Sequence, residues 1–188
     1  MPNGDVRTNE GVLKKLRGKA ELCRFSHSEL KDEYARRRNW KEFSVVFLSV
    51  ALVALVNFYF RKMLEGNFVL SLIWILPLLT TLIQTLDCTI FRWSHKVARH
   101  ESAVAIWGDW IREADFLEKR INQHASDLAD EKMQNMQEKY NSCMSSTEQI
   151  PNDKFLKYKT KFRAHVLKSK KLDEMSLEEL EGTIREEN

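Results

Sequence analysis

Glycine, proline and cysteine are all scarce in this 188-residue chain, with six, three and three copies. Long stretches free of helix breakers favour continuous helix over sheet, so the sequence predicts an all-α protein. The cysteines, Cys23, Cys88 and Cys143, are odd in number, fall in three different segments and form no Cys-x-x-Cys pair. That excludes a readable disulfide framework or zinc site. Catalytic signatures are missing too: there is no G-x-x-x-x-G-K-S/T, no G-x-S-x-G, no H-E-x-x-H and no Cys/His pair near a suitable base. The chain therefore reads as a protein that is not an enzyme and takes no cofactor. Excess charge of one sign is absent as well. Thirty Lys and Arg against 27 Asp and Glu leave +3, too balanced to argue for nucleic acid as a partner. The first 40 residues are charged throughout and contain no short apolar stretch with a small-residue cleavage site, so no cleavable signal peptide is expected.

What is abundant is apolar sequence in one place. The mean hydropathy of -0.45 averages a charged background with a block between Phe43 and Phe91. Residues 43–60 are 18 positions without a charge, about 27 Å of α-helix, which spans a hydrocarbon core. Residues 68–91 form a second run whose one charge, Asp87, comes near its end. The loop 61–67 is short enough to force antiparallel neighbours. β-branched residues would suit strands in water, but an isolated strand cannot satisfy its backbone in lipid and a helix can. The expectation is a two-helix transmembrane hairpin over 43–91. Lys31, Arg36, Arg37, Arg38 and Lys41 precede it and Arg92, Lys96 and Arg99 follow it, whereas the loop offers only Arg61 and Lys62. This asymmetry predicts a multi-pass protein with both termini cytoplasmic.

Both flanking arms, 1–42 and 92–145, carry apolar residues at spacings of three and four. Leu13, Leu16, Ala20, Cys23, His27, Leu30 and Tyr34 mark the first; Ala103, Trp107, Trp110, Ala114, Leu117, Ile121, His124 and Leu128 mark the second. These are heptad seams. They predict long helical arms forming a coiled-coil-like bundle, with Leu16, Cys23, Leu30, Tyr34, Trp107, Trp110, Leu117 and Ile121 as oligomer-seam candidates. Each seam needs a partner, either the other arm or the arms of neighbouring subunits, and the pattern does not choose. Past Leu128 the seam weakens, and residues 141–153 have turn composition with Pro151 as a helix stop. Residues 146–188 then form a linker and a helical tail. In it Phe155, Tyr158, Phe162 and Val166 share one face opposite a lysine-rich one, which suits anionic lipid, an acidic partner or a nucleotide phosphate, the plainer alternative being a solvated charged face. Ser176 to Glu179 read as a capping box opening a short acidic helix.

Polar groups inside the apolar runs are the candidates for function, because they are costly in hydrocarbon and face a partner or water. Thr80, Gln84 and Asp87 share one helical face, and Asn57 lies on the first run. These four are pore-lining candidates, with Pro77 as a hinge candidate; the plainer alternative is hydrogen-bonded helix packing. The histidines are not spaced as metal ligands, and no metal is expected.

The stretch Tyr34-Ala-Arg-Arg-Arg-Asn-Trp40 leading into an apolar span, a short loop, and a second span running into Arg92-Trp-Ser-His-Lys-Val-Ala-Arg-His100 resembles the SLATT family. Those proteins are two-transmembrane effector domains found beside bacterial nucleotide-second-messenger synthases or sensor proteins in antiphage systems. The likeness covers roughly residues 10 to 145 and rests on architecture plus a Tyr/Arg-rich approach to the first span, so it transfers a class of function and no site residues. It implies a homo-oligomeric effector in the bacterial inner membrane that permeabilises the bilayer when a nucleotide-signalling synthase or sensor partner triggers it. The alternative is a non-conducting membrane-anchored scaffold whose arms recruit cytosolic proteins.

Overall fold

The computed structural model describes residues 3–60, 67–123 and 128–174, with side chains over 11–58, 71–121 and 131–174 apart from residue 172. Its elements are α1 (Asn3–Phe60), α2 (Asn67–Leu86), a π-helical turn (Asp87–Phe91), α3 (Trp93–Gln123), α4 (Leu128–Ser146) and α5 (Asn152–Glu174). There is no strand among the described residues, in keeping with the scarcity of Gly and Pro. The expected loop lies outside the described residues except for Asn67, which opens α2; so do His124 and the capping box at Ser176.

The chain forms two compact units, Leu30–Glu101 and the combination of Met1–Glu29 with Ser102–Asn188. The second of these is a helical bundle. Leu13 and Ala20 of α1 pack with Trp107, Trp110, Ile111, Ala114, Leu117 and Ile121 of α3 and with Met133 and Met136 of α4; Leu16, Cys23, Tyr140 and Cys143 lie against this core. The two expected seams thus meet within one chain. Ion pairs line the same α1–α3 contact, where the Arg17 guanidinium sits 3.0 Å from Asp115 and 3.1 Å from Glu118.

The third partner is a departure from the expectation. The arm over 92–145 is two helices, and α4 returns along α3. The Tyr140 ring meets Trp107 and Trp110 edge-on at 5.3 and 5.4 Å, and the Trp110 indole N–H donates to the Met136 carbonyl at 3.1 Å. Met133, Met136, Tyr140 and Cys143 have the spacing of a seam of their own. Residues 141–146, expected as linker, are helical because Cys143 is held against the core and the last turn is closed locally. The Thr147 N–H donates to the Cys143 carbonyl at 3.1 Å. The linker shrinks to 147–151, and α5 follows Pro151 directly. Its apolar face packs within the bundle, a contact the sequence reading did not foresee. Tyr158 is buried, Phe162 lies 5.5 Å from Phe25, and the Lys161 ammonium is 2.5 Å from Glu29.

The Leu30–Glu101 unit contains the later part of α1, α2, the π turn and the start of α3. The first apolar run is the last part of α1 rather than a separate helix, since no Gly or Pro interrupts residues 19–60. The second run is α-helical only to Leu86 and then passes into the π turn. Two helices of the chain are long and apolar enough to cross a membrane, and their most apolar windows are 0% and 6% buried. A core helix of a water-soluble domain would bury that surface.

Two buried tryptophans separate packing from hydrogen bonding. Trp107 is fully buried and its indole N–H has no acceptor among the described residues, whereas Trp110 has Met136. Trp107→Ala should cost about 3–5 kcal/mol, and Trp107→Phe far less because it removes an unmet donor. Trp110→Phe should cost about 1–2 kcal/mol more than Trp107→Phe, read by chemical unfolding in detergent; equal costs for the two Phe variants would disprove the assignment. Burial also pushes the Cys23, Tyr140 and Cys143 groups above their ordinary pKa values. Each therefore holds its proton in the folded state at a pH where the unfolded chain has lost it. Stability is then fully present below the unfolded thiol value of about 8.5 and falls as pH rises through the raised values. The bundle's melting temperature should drop between about pH 8.5 and 11, and the slope should flatten in a Cys23→Ala, Cys143→Ala, Tyr140→Phe variant.

Candidate functional site

The polar centre of the Leu30–Glu101 unit is a pair of charges at the end of the apolar runs. The Lys41 ammonium of α1 donates to an Asp87 carboxylate oxygen at 2.5 Å, with the two side chains only 15% and 9% exposed. The other Asp87 oxygen accepts the Trp93 backbone N–H at 3.2 Å. That N–H belongs to the first turn of α3, where helices leave donors unpaired and where negative charge is favoured. One carboxylate thus joins α1, the π turn and α3.

The backbone is shaped to bring this about. A π turn inserts an extra residue into the helix, and here it carries the chain from Asp87 to Phe91. The next residue, Arg92, adopts the left-handed conformation with φ 47° and ψ 42°, and its N–H closes on the Asp87 carbonyl at 2.7 Å. A non-glycine residue held there costs about 1–2 kcal/mol, so the surrounding contacts over-determine it. About two turns further along α1 the Tyr34 ring stacks on His100 with centroids 5.6 Å apart and planes 2° from parallel. The Lys96 ammonium lies over Tyr34 at 5.2 Å. The two stretches that carry the family resemblance, around Tyr34–Trp40 and Arg92–His100, therefore face each other.

The four pore-lining candidates are not equivalent in place. Asn57 and Gln84 are exposed on their helices. The Thr80 hydroxyl donates to the Pro77 carbonyl at 2.8 Å, and Thr81 donates to the same oxygen at 2.8 Å. Asp87 is buried and bound to Lys41 and Trp93. Pro77 lies inside α2, which continues through it. The seam candidates divide: Leu16, Cys23, Trp107, Trp110, Leu117 and Ile121 are occupied in the bundle, while Leu30 and Tyr34 belong to the other unit. Among the described residues no group of three or more His, Cys, Asp or Glu is placed to hold a metal ion.

Sequence reasoning missed Lys41. The signal was available: Lys41 lies 19 residues before the end of α1 at Phe60, and Asp87 20 residues after the start of α2 at Asn67. At equal rise per residue that is equal depth from the loop. Asp87 shares a helical face with Thr80 and Gln84, since α2 is regular to Leu86 and the register changes only within the π turn that Asp87 opens.

No family model, curated protein or solved structure matches the chain.

A buried ion pair that loses one member leaves the other charge without compensation. Lys41→Met alone should destabilise the protein by about 3–5 kcal/mol. Asp87→Asn should cost less, because the amide oxygen still accepts the Trp93 N–H. The double variant Lys41→Met, Asp87→Asn should be more stable than Lys41→Met by itself. Unfolding titrations in detergent micelles measure all three, and strict additivity of the single costs would show that the pair is not coupled.

Proposed function

We propose that the chain is a membrane effector of a bacterial antiphage system: it oligomerises in the inner membrane and permeabilises it when a nucleotide-signalling or sensor partner acts on it. The observation that carries the membrane part is the uncovered apolar surface. Phe43, Val46, Phe47, Val50, Val53 and Phe58 of the first run are exposed, as are seven large apolar side chains from Trp74 to Phe91 of the second. At exposures of 40–75%, such side chains forgo about 1–2 kcal/mol each in water, roughly 15–25 kcal/mol together, against a usual net stability of about 5–15 kcal/mol. A bilayer offers them an apolar solvent, and α-helices satisfy their own backbone there. Lys41, Arg37 and Arg92 then sit at the cytoplasmic interface, where basic residues are favoured.

The effector part rests on the likeness to SLATT proteins and on a physical requirement of any switch, two arrangements of similar free energy. In this reading the chain as described is the closed form. Asp87 is neutralised by Lys41, and the seam side chains are occupied within the bundle. Opening exchanges these internal contacts for contacts between subunits, and it frees Asp87 to join Gln84 and Thr80 on a water-facing stripe. The scaffold reading needs no such exchange and leaves the Lys41–Asp87 pair permanently closed.

Ion leak from liposomes carrying the purified protein separates the two. Asp87→Asn should raise leak about tenfold, the effect of shifting a closed–open equilibrium by about 1.4 kcal/mol, and Gln84→Leu should lower it. In cells, overproduction of the wild type should collapse the membrane potential and admit dye. Identical leak in all three proteins would remove the stripe from the mechanism, and harmless overproduction without dye uptake would leave the scaffold.

A further inference from the structure

We propose that the groove beside the Lys41–Asp87 pair is a binding site for one anionic phospholipid, with its phosphate on Arg37 and its acyl chains against α2 and the π turn. The inference rests on the membrane reading and adds a ligand to it. The groove encloses about 500 Å³ between two walls. One wall is α1, with Arg37, Trp40, Lys41 and Ser44; the other holds Ile83, Leu86, Phe91 and Trp93. Cations thus stand at one end and aliphatic and aromatic groups along the rest, and no carboxylate is among the lining residues.

The cationic end has capacity for a phosphate. Arg37 is half exposed and spends one nitrogen on Glu33 at 2.8 Å. A guanidinium carries five donors in a planar fork that matches a phosphate, so one contact leaves most of them to offer. Lys41 adds a second positive charge on the same wall, although Asp87 already holds its ammonium. The apolar end explains why the phosphate should belong to a lipid. Trp40 is 70% exposed and its ring meets Phe43 edge-on at 6.1 Å, which extends the groove's wall onto the uncovered first run. Phe91 and Trp93 stack at 4.9 Å on the opposite wall. A free phosphate would leave these surfaces wet; an acyl chain covers them. The aromatic rings also have the interfacial position that Trp favours in bilayers.

Tryptophan quenching in nanodiscs tests this with the full chain. In a Trp74→Phe background, Trp40 and Trp93 are the tryptophans near the groove, because Trp107 and Trp110 are buried in the bundle. Phosphatidylglycerol brominated on its acyl chains, added at a low fraction to phosphatidylcholine nanodiscs, should quench about fivefold more effectively than brominated phosphatidylcholine at the same fraction, the preference expected of one basic residue. Arg37→Gln should abolish that preference, while Arg163→Gln on the basic face of α5 should leave it. Equal quenching by the two lipids in the wild type would overturn the lipid site and leave the membrane reading standing. Absence of quenching by either would overturn both. A preference that survives in Arg37→Gln, or that soluble glycerol phosphate removes, would also overturn the assignment.

Discussion

The governing constraint is that most of the large apolar side chains in the two apolar runs stay exposed in the fold. A water-soluble fold of this length closes around its most apolar helices. Here the most buried residues lie elsewhere, in Leu13, Ala20, Trp107 and Ala114, while Phe47, Val50, Trp74 and Leu78 are left more than half exposed. The hydrophobic residues thus fall into two sets: those at heptad spacing among charges pack with each other, and those in the continuous runs stay exposed on two helices long and apolar enough to cross a membrane.

Where the apolar runs end a charge must be dealt with, and the Lys41–Asp87 pair does so. Asp87 is the one acid in the second run and lies near its end, 20 residues after the start of α2. Its carboxylate is matched by an ammonium at the same depth and by the first free N–H of α3. The π turn and the left-handed Arg92 are the backbone changes that let one side chain serve both. Strain of this kind persists where the contacts around it repay it, and here the paired carboxylate and the Tyr34–His100 stack supply them. The lipid groove proposed above uses the same residues, which would make the local lipid part of what holds the pair closed.

The bundle gives the heptad pattern a specific meaning. A seam of apolar residues states only that a partner exists, and an intrachain partner buries it as well as an intersubunit one. With α4 returning along α3, the partner for both arms is found inside the chain. An oligomer built on Trp107 and Trp110 must accordingly displace Met136 and Tyr140, which is the form that a switch between closed and assembled states would take.

Helix content, the position of the two apolar runs and the apolar face of α5 were legible in the sequence because each depends on local spacing and on the absence of breakers, properties that neighbours in the chain determine among themselves. So were the α1 and α3 seam positions. The return of α4 was obscured by polar residues around Met133, Met136 and Tyr140, whose short period reads as surface until a second helix supplies its other half. The equal depth of Lys41 and Asp87 could be counted along the chain, but their contact, the π turn and the left-handed Arg92 were decided by tertiary structure. A carboxylate near the end of an apolar run can be met by water, by lipid headgroups or by a cation 46 positions away, and only the packing of the helices against one another selects among them.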